Sequence, residues 1–369
     1  MRLARQLAVL AATASLVLTA VPVAAAAPPG AAERTEVGTY NLFLGGDIGR
    51  LLAPGIDTPA EFLAAADALW REVVASDFPS RAEAIADLLA EEQPDVVGLQ
   101  EVARWTSVPL AAGVPNPDFD FLAILLTELA ERGTPYEVVV ENDNFDSSVL
   151  ATTSPVPGYI PLRPSGVAVQ YVDRDVIIAR ADLPDDELQV LATAEGTFAT
   201  NVTVPFLGGA ILTVLRGWTS ADLLLHGQPV RFVNTHLEAF SAAVREAQAR
   251  ELAALLAASP YPVVLVGDLN DDPRTGAVTI LQEALGLADA WRGSAPRGYT
   301  AGQDDLDAAQ PQFDRRIDYV LYEVDRRPRL HATRVEVIGE EVRDRSADGL
   351  WPSDHAGVLA TLHLTPRGR

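Results

Sequence analysis

Residues 262–271 read PVVLVGDLND, an apolar run that changes abruptly into acidic and amide side chains. The run 262–267 is typical of a central strand that is buried on both faces of a sheet. Asp268 and Asn270 follow it and lie two residues apart, so on an extended segment their side chains share a side. A carboxylate accepts hydrogen bonds and an amide can donate them. The stretch therefore predicts a buried strand with a polar site at its end, the alternative being an Asx-rich turn.

Five other motifs place a polar side chain next to an apolar strand. They are TYN at 39–41, PDVVGLQEV at 94–102, NTHLE at 234–238, RIDYV at 316–320 and SDH at 353–355. α/β enzymes place their sites at strand ends. One such strand end is ordinary, whereas six in order along one chain predict a shared site.

Segments with helical spacing alternate with strands along the chain. Helices are predicted at 58–75, from a capping box at Ser80 to about 92, and at 119–132, 242–258 and 275–285. Strands are predicted at 35–43, 95–99, 136–141, within 166–214, and near 229–234, 262–267, 316–323, 332–338 and 356–364. No internal repeat and no dividing linker interrupts this order, which predicts one α/β domain.

The six motifs in this order resemble those of the endonuclease/exonuclease/phosphatase superfamily, which includes deoxyribonucleases, neutral sphingomyelinases and inositol-phosphate phosphatases. The resemblance runs from about Glu36 to Leu364. It implies an α/β fold that is a four-layered α/β sandwich, with two mixed β-sheets packed face to face and helices outside. It also implies a divalent-metal-dependent phosphoric ester hydrolase.

The metal ligands follow from the residue types and from the resemblance. Glu101 offers a hard oxygen ligand suited to Mg²⁺, and Asn41 offers an amide oxygen. In the family, the residues matching Glu101 and Asn41 bind the metal and the one matching Asp354 joins them. The expected cofactor is Mg²⁺, with Ca²⁺ or Mn²⁺ as alternatives. The other readings are a surface carboxylate that closes a strand for Glu101 and a turn-forming residue for Asn41.

The catalytic roles are implied by the resemblance. The residue matching Asp268 orients or deprotonates the attacking water, and that matching Asn270 donates a hydrogen bond to a phosphoryl oxygen. His355 matches the histidine at the scissile phosphate, with Asp318 as the carboxylate that fixes its tautomer. His236 matches a second histidine that contacts the phosphate and protonates the leaving group in nuclease-like members. The role of Glu238 is left open.

The N-terminus has the layout of a secretory signal peptide. Arg2 and Arg5 precede an apolar run and a small-residue cleavage region, so we expect a signal peptide at 1–26, cleaved near Ala26, and a flexible leader at 27–34. The single catalytic domain is then 35–369. We expect an exported protein, and because the chain has no Cys it cannot use disulfides. No other stretch is long and apolar enough to span a membrane.

The 369 residues carry 28 basic and 51 acidic side chains, a formal charge of −23, and every basic residue is Arg. This charge excludes a basic protein that coats nucleic acid by counterion release alone. The expected partner is a phosphoester substrate, which is a lipid head group, a small phosphodiester or a nucleic acid; no obligate protein partner is indicated. An extracellular endonuclease acting on DNA or RNA is the alternative, and a non-catalytic binding protein is a third reading.

Two segments bear on the substrate. Residues 200–228 predict either an extra hairpin that covers the site or touches lipid, or a buried hairpin of the second sheet. A lipid phosphodiesterase would need exposed aromatic residues beside the cleft, for which Trp218 and Trp351 are candidates. The loop 293–312 is a candidate wall of the substrate cleft.

Overall fold

In this computed structural model, residues 33–150, 156–207, 210–291 and 298–365 are described. The predicted signal peptide and most of the predicted leader lie outside these residues. Strand β1 begins at Glu33, so the strand takes in the last two residues of the predicted leader. Among the described residues, no helix is both long and apolar enough to cross a membrane.

Two large sheets form the centre of the fold. The first has the order β16-β17-β1-β2-β7-β3-β4, with β5 and β6 also paired to the long strand β7. Its strands are β1 (Glu33–Asn41), β2 (Val96–Gln100), β3 (Arg104–Pro109), β4 (Phe119–Asp120), β5 (Tyr136–Asp146), β6 (Ile160–Leu162), β7 (Val167–Arg180), β16 (Arg329–Ile338) and β17 (Gly357–Thr365).

The second sheet has the order β14-β15-β13-β12-β11-β8. Its strands are β8 (Leu188–Thr197), β11 (Gly217–Leu225), β12 (Gln228–His236), β13 (Val263–Asp268), β14 (Leu287–Asp289) and β15 (Asp318–Glu323). Strands β9 (Val202–Phe206) and β10 (Ala210–Val214) pair with each other as a separate two-stranded sheet. The buried-hairpin prediction for 200–228 is therefore right for β11 and wrong for the β9–β10 hairpin.

Three apolar clusters show how the layers are stacked. One lies between the two sheets and joins residues such as Val37 and Ile177 to Val264 and Val320. The other two lie between each sheet and its own helices. The helices are α1 (Pro59–Ala75), α2 (Phe78–Glu92) and α3 (Phe121–Glu131) on the first sheet, and α4 (Ala242–Leu256) and α5 (Gly276–Leu285) on the second. The four-layered sandwich of two mixed sheets is confirmed.

Local signals explain most helix boundaries. Thr58 begins α1 with a reciprocal capping box to Glu61. The capping box predicted at Ser80 is wrong, because α2 already begins at Phe78 and the Ser80 hydroxyl instead donates to Asp348 at 3.0 Å. This hydrogen bond joins two distant parts of the chain, and such a tertiary contact cannot be read from local spacing.

Candidate active site

Four strands end in polar residues at the same edge of the sandwich. Strands β1 and β2 are parallel neighbours, and they end at Asn41 and immediately before Glu101. Strands β12 and β13 are also parallel, and their terminal residues His236 and Asp268 are register partners. Asp318 begins the antiparallel strand β15 opposite Asp268. Parallel pairing therefore brings together residues that lie far apart in the sequence.

Asn41 joins the ends of the two sheets. Its Nδ2 donates to Oε1 of Glu101 and to Oδ2 of Asp268, both at 3.2 Å. Its Oδ1 accepts from the backbone N–H of Phe43 at 3.0 Å. In this arrangement the amide nitrogen, and not the amide oxygen, faces the two carboxylates.

Close approach of the sheets beneath the site depends on Gly98. A Cβ at Gly98 would lie 2.6 Å from Cγ2 of Val266 and 2.8 Å from the Asn234 amide. The side chain of Asn234 can therefore cross between the sheets, where its Oδ1 accepts from Nε2 of Gln100 at 2.6 Å. The strand ends are held together by buried polar contacts as well as by apolar packing.

His355 and Asp318 form a buried pair. Nδ1 of His355 lies 2.9 Å from Oδ2 of Asp318. Burial alone would lower the pKa of His355, but the Asp318 carboxylate, with further help from Asp354 and Asp268, raises it well above its ordinary value. The raised pKa favours the imidazolium form of the ring, whose Nε2 lies 3.8 Å from Oδ2 of Asp268.

The surroundings of His236 favour the opposite charge state, a neutral ring. Its Nδ1 lies 2.9 Å from Nη1 of Arg216. Because a guanidinium only donates, Nδ1 accepts and the ring proton sits on Nε2. Burial, followed by the charges of Arg216 and His355, holds the pKa of His236 well below its ordinary value. The neutral ring presents Nε2–H 3.4 Å from Oδ2 of Asp268.

Asp268 lies between these two imidazoles. Burial and the neighbouring Asp318 raise the pKa of Asp268 to about 7, against the lowering effect of His355. Its Oδ1 accepts from the backbone N–H of Asn270 at 2.8 Å. The amide nitrogen of Asn270 donates to the Leu237 carbonyl at 3.0 Å, which fixes the side chain beside the carboxylate.

Two of these residues adopt a left-handed backbone. Glu101 has φ 52° and Asn270 has φ 50°. This region is unfavourable for residues with a Cβ, and such conformations cluster at functional sites. The turn after each strand therefore aims a functional side chain back at the sheet edge.

The residue types at one side of the site suit a divalent cation. Glu101 and Asp354 both line a cavity of about 660 Å³. Burial raises the pKa of Asp354 to about 7; the charge of His355 lowers it and that of Glu101 raises it. Among the residues that the structure describes, Arg50 is the one cationic residue lining this acidic cavity, and the carboxylates are Asp47, Glu72, Glu101, Asp304, Asp305, Asp307 and Asp354. The donor set of hard oxygens and uncompensated negative charge fits Mg²⁺ or Ca²⁺.

Among the described residues, two groups of three acidic or imidazole side chains could converge on one ion. Asp268, Asp318 and His355 form one, and Glu36, Glu92 and Glu336 form the other. The first is already joined by the His355–Asp318 hydrogen bond. In the second, Arg334 lies among the glutamates and pairs with Glu92 at 3.2 Å. The predicted ligands Glu101 and Asp354 belong to neither group.

An apolar cavity of about 190 Å³ is also lined by Glu101, which it shares with the acidic cavity. Its polar end is formed by residues of the site. Its apolar wall comes from the 3₁₀ turn Ile48–Leu52, from strand β10 and from the loop after β12. The residues of that wall include Ile48, Leu51, Leu52, Leu212, Val214, Leu215 and Phe240.

The sequence did not predict that three charged residues, Arg216, Asp173 and Asp175, lie near the site. Arg216 follows β10, and Asp173 and Asp175 lie within β7. Burial raises the pKa of Asp173 to about 6 and, with the charge of Asp173, that of Asp175 well above its usual value. The available signal was the charged triplet Asp173-Arg174-Asp175 inside an otherwise apolar strand.

Three other residues that the sequence singled out are buried or half-buried. Glu238 is buried, and its Oε1 accepts from the backbone N–H of Phe240 at 2.7 Å, so it shapes the loop after β12. The prediction that Trp351 is exposed beside the cleft is wrong: it is fully buried. Trp218 is half-buried against the cluster beneath α4 and α5. The loop predicted as a cleft wall does line the acidic cavity, through residues 304–307.

Carboxylates and imidazoles therefore meet at the strand ends of a two-sheet sandwich. The sequence profile of the Endonuclease/Exonuclease/phosphatase family matches residues 38–355. The chain belongs to this family. No match was found among curated protein sequences.

Solved structures share the fold. A Bacteroides thetaiotaomicron protein of this family aligns with a TM-score of 0.53 and 18% identity, over 90% of this chain and 99% of its own. D. rerio TDP2 in complex with a single-strand DNA product aligns with a TM-score of 0.52 and 18% identity, over 89% and 98%. B. thetaiotaomicron mannosyl-6-phosphatase gives 0.51 and 18%, over 89% and 99%. At this identity the likeness extends to the fold alone.

Proposed function

We propose that the protein is a divalent-metal-dependent phosphoesterase that hydrolyses a phosphodiester or phosphomonoester by in-line attack of water. The observation that supports this most directly is the position of the Asp268 carboxylate between two imidazoles, with its Oδ2 3.8 Å from Nε2 of His355 and 3.4 Å from Nε2 of His236. Such a set offers a proton acceptor and two N–H donors around one small space. These are the groups that phosphoester hydrolysis requires.

Asp268 is the proton acceptor in this proposal. A general base works best when its pKa lies near the working pH, and that of Asp268 is raised to about 7. The N–H of Asn270 on Oδ1 holds the carboxylate in place and leaves Oδ2 facing the site. Oδ2 would orient the attacking water and take up its proton.

His355 and Asn270 would stabilise the phosphoryl oxygens. The imidazolium Nε2–H of His355 provides a positive donor, and Asp318 keeps the ring charged and oriented. One hydrogen of the Asn270 amide is used by the Leu237 carbonyl. The amide has a second hydrogen, which is available for a substrate oxygen.

His236 would act as a neutral donor. Arg216 on Nδ1 opposes the imidazolium form, so His236 is suited to hydrogen-bond a phosphoryl or leaving oxygen through Nε2–H. The role implied for nuclease-like members, in which this histidine protonates the leaving group, needs an imidazolium. We therefore place Arg216 as a positioning residue that selects the donor role.

Glu101 and Asp354 are the residues that would hold the metal, and a divalent cation there supplies positive charge against the substrate phosphate. Oε2 of Glu101 is oriented by the backbone N–H of Leu44 at 2.8 Å. Asn41 holds Oε1 of the same carboxylate through its amide nitrogen. The role of Asn41 as an oxygen ligand of the metal stays a prediction. In this structure its Oδ1 accepts a hydrogen bond from the backbone N–H of Phe43.

The test is hydrolysis of bis(p-nitrophenyl) phosphate with Mg²⁺, Ca²⁺ or Mn²⁺, with and without EDTA. We expect metal-dependent turnover that His355→Ala lowers by about 10²-fold or more. His331→Ala is the matched control, because His331 is exposed on β16. Undiminished activity of His355→Ala would overturn the proposal, and inactivity of the wild type on every phosphoester would favour a binding protein.

We also propose that the protein is exported, with residues 1–26 as a cleaved signal peptide. The support is the layout Arg2, Arg5, apolar run and Ala-rich end. N-terminal sequencing of the protein recovered from the medium of its source should begin near Ala27. An intact Met1 on a cell-retained protein would contradict export.

A further inference from the structure

Resting on the proposed phosphoesterase activity, we propose that the substrate is a zwitterionic phospholipid, whose hydrocarbon part binds in the apolar cavity beside the catalytic residues. The cavity is continuous with the site, since His236, Asp268, Asn270 and His355 line its polar end. A phosphorus atom placed at these residues therefore has one of its substituents against aliphatic side chains. Burial of hydrocarbon there is favourable in proportion to the apolar area removed from water.

The wall of the cavity is mainly aliphatic. Leu212 and Val214 alternate on β10 with the exposed Thr213, so one face of the strand is turned to the cavity. Eight Leu, Ile and Val side chains line the cavity together with the aromatic residues Phe62, Phe145, Tyr171 and Phe240. Because most of this wall is aliphatic, it fits alkyl chains. Stacking of a base on the aromatic rings is the alternative, which plasmid DNA tests in the experiment below.

The rim of the cavity is also apolar. Phe240 is 65% exposed and Val149 is 60% exposed. Each belongs to a segment that also lines the cavity, namely the loop after β12 and the 3₁₀ turn Ser147–Leu150. Exposed apolar residues concentrated around a cavity mouth are typical of a surface that contacts lipid or another partner.

Charge selects the kind of lipid. Glu101 lines both the apolar cavity and the acidic cavity, so the phosphate position has hydrocarbon on one side and carboxylates on the other. Glu101 and Asp354 would hold the metal, and the five other carboxylates of the acidic cavity, with Arg50 among them, favour a cationic head group such as choline or ethanolamine. They oppose a polyanion, and the formal charge of −23 opposes an anionic lipid surface.

The reaction is a hydrolysis that balances without a further reagent. The water oxygen forms a bond to phosphorus, and one P–O bond to an alcohol oxygen breaks with its electron pair leaving on that oxygen. One water proton ends on the departing alcohol, and the other remains with the phosphomonoester.

The experiment compares dihexanoylphosphatidylcholine, below its micellar concentration, with glycerophosphocholine, which has the same head group and no acyl chains. Plasmid DNA is a third substrate. We expect kcat/KM for the acylated lipid to exceed that for glycerophosphocholine by at least about tenfold. Leu212→Asn should lower this ratio by about tenfold, and Thr213→Asn, on the other face of the same strand, should leave it unchanged.

Phe240→Ser is a second test that remains informative if the Leu212 variant misfolds, because an exposed residue can be replaced without disturbing the core. It should lower both the lipid ratio and co-sedimentation of the protein with phosphatidylcholine vesicles in EDTA. Equal kcat/KM for the two choline esters, or preferred cleavage of DNA, would overturn the lipid inference while the phosphoesterase stands. Vesicle binding without hydrolysis of any phosphoester would instead remove the proposed activity.

Discussion

Arg216, the residue before β11, donates from Nη1 to Nδ1 of His236, the last residue of the neighbouring strand β12, at 2.9 Å. This contact fixes the tautomer of the buried imidazole, and the charge of Arg216 adds to the effect of burial, which lowers the pKa of His236 most. A carboxylate in the same place would have the opposite effect on the ring. The choice of partner therefore decides whether His236 is a hydrogen-bond donor or a proton-donating imidazolium.

Arg216→Gln should raise the pKa of His236 relative to the wild type, because one of the causes that lower it is removed while burial remains. In the wild type, the unfolded chain binds a proton near pH 6.5 that the folded chain does not bind. Stability linked to His236 is therefore complete above pH 6.5 and is lost as the pH falls below it. ¹⁵N chemical shifts of the ring measure the tautomer and the pKa. Arg250→Gln, on the exposed face of α4, is the control, and an unchanged His236 titration would contradict the assignment.

Asp318→Asn should reduce kcat by about 10²- to 10⁴-fold, because the His355 ring loses the carboxylate that orients it and favours its charge. The fold should persist, since an amide has nearly the same shape. Circular dichroism and kcat on bis(p-nitrophenyl) phosphate give the two readouts. Retention of full kcat would show that the pair is only structural.

Asp175→Asn should stabilise the protein more at pH 8 than at pH 5. Burial, then the charge of Asp173, raises the pKa of Asp175 well above its usual value. The folded state then holds a proton that the unfolded state has lost, so the wild type loses stability as the pH rises through the folded pKa. We expect a Tm gain of at least about 2 °C at pH 8. Asp185→Asn, in an exposed loop, should show no such pH-dependent gain.

Mg²⁺ or Ca²⁺ should raise the Tm of the wild type and leave that of Glu101→Gln nearly unchanged. A ligand that binds only the folded state at 100 times its Kd adds about 2.7 kcal/mol to the free energy of unfolding. Differential scanning calorimetry at several metal concentrations measures this shift. Glu137→Gln, an exposed carboxylate on β5, is the control. An equal shift in all three proteins would place the cation elsewhere.

Gly267→Ala should destabilise the fold by about 3 kcal/mol or more. Its φ is +140°, and an added Cβ would lie 1.9 Å from the Thr235 carbonyl oxygen on the neighbouring strand. Gly133 also has a positive φ, of +76°, but a Cβ there meets nothing within 4 Å. Gly133→Ala should therefore cost only about 1 kcal/mol. Urea denaturation compares the two, and similar losses would show that the contact with Thr235 is not limiting.

The strand ends of the site could be predicted because each follows a short apolar run, which can be recognised from neighbouring residues alone. Asn41, Glu101, His236 and Asp268 are all recognisable in this way, and parallel pairing brings their strand ends to one edge. The individual roles came from the family resemblance. They could not be derived from spacing.

The rest depended on contacts between distant segments. The pairing of Arg216 with His236 follows from the register of β11 on β12, in which Trp218 faces Thr235, and no local pattern encodes that register. Strand β7 was predicted only in pieces, because Asp173, Arg174 and Asp175 interrupt its apolar pattern. These residues are buried beside the site, where Arg174 donates to the Val102 carbonyl at 2.9 Å.

The β9–β10 hairpin pairs with no other strand of the described chain. It contributes Leu212 and Val214 to the cavity, yet none of the carboxylates or imidazoles at the strand ends. Its sequence can therefore change during evolution without disturbing the register of either large sheet. The part of the molecule that we propose chooses the substrate is a replaceable module, and exchange of 202–214 between relatives is a direct route to new specificities on an unchanged catalytic edge.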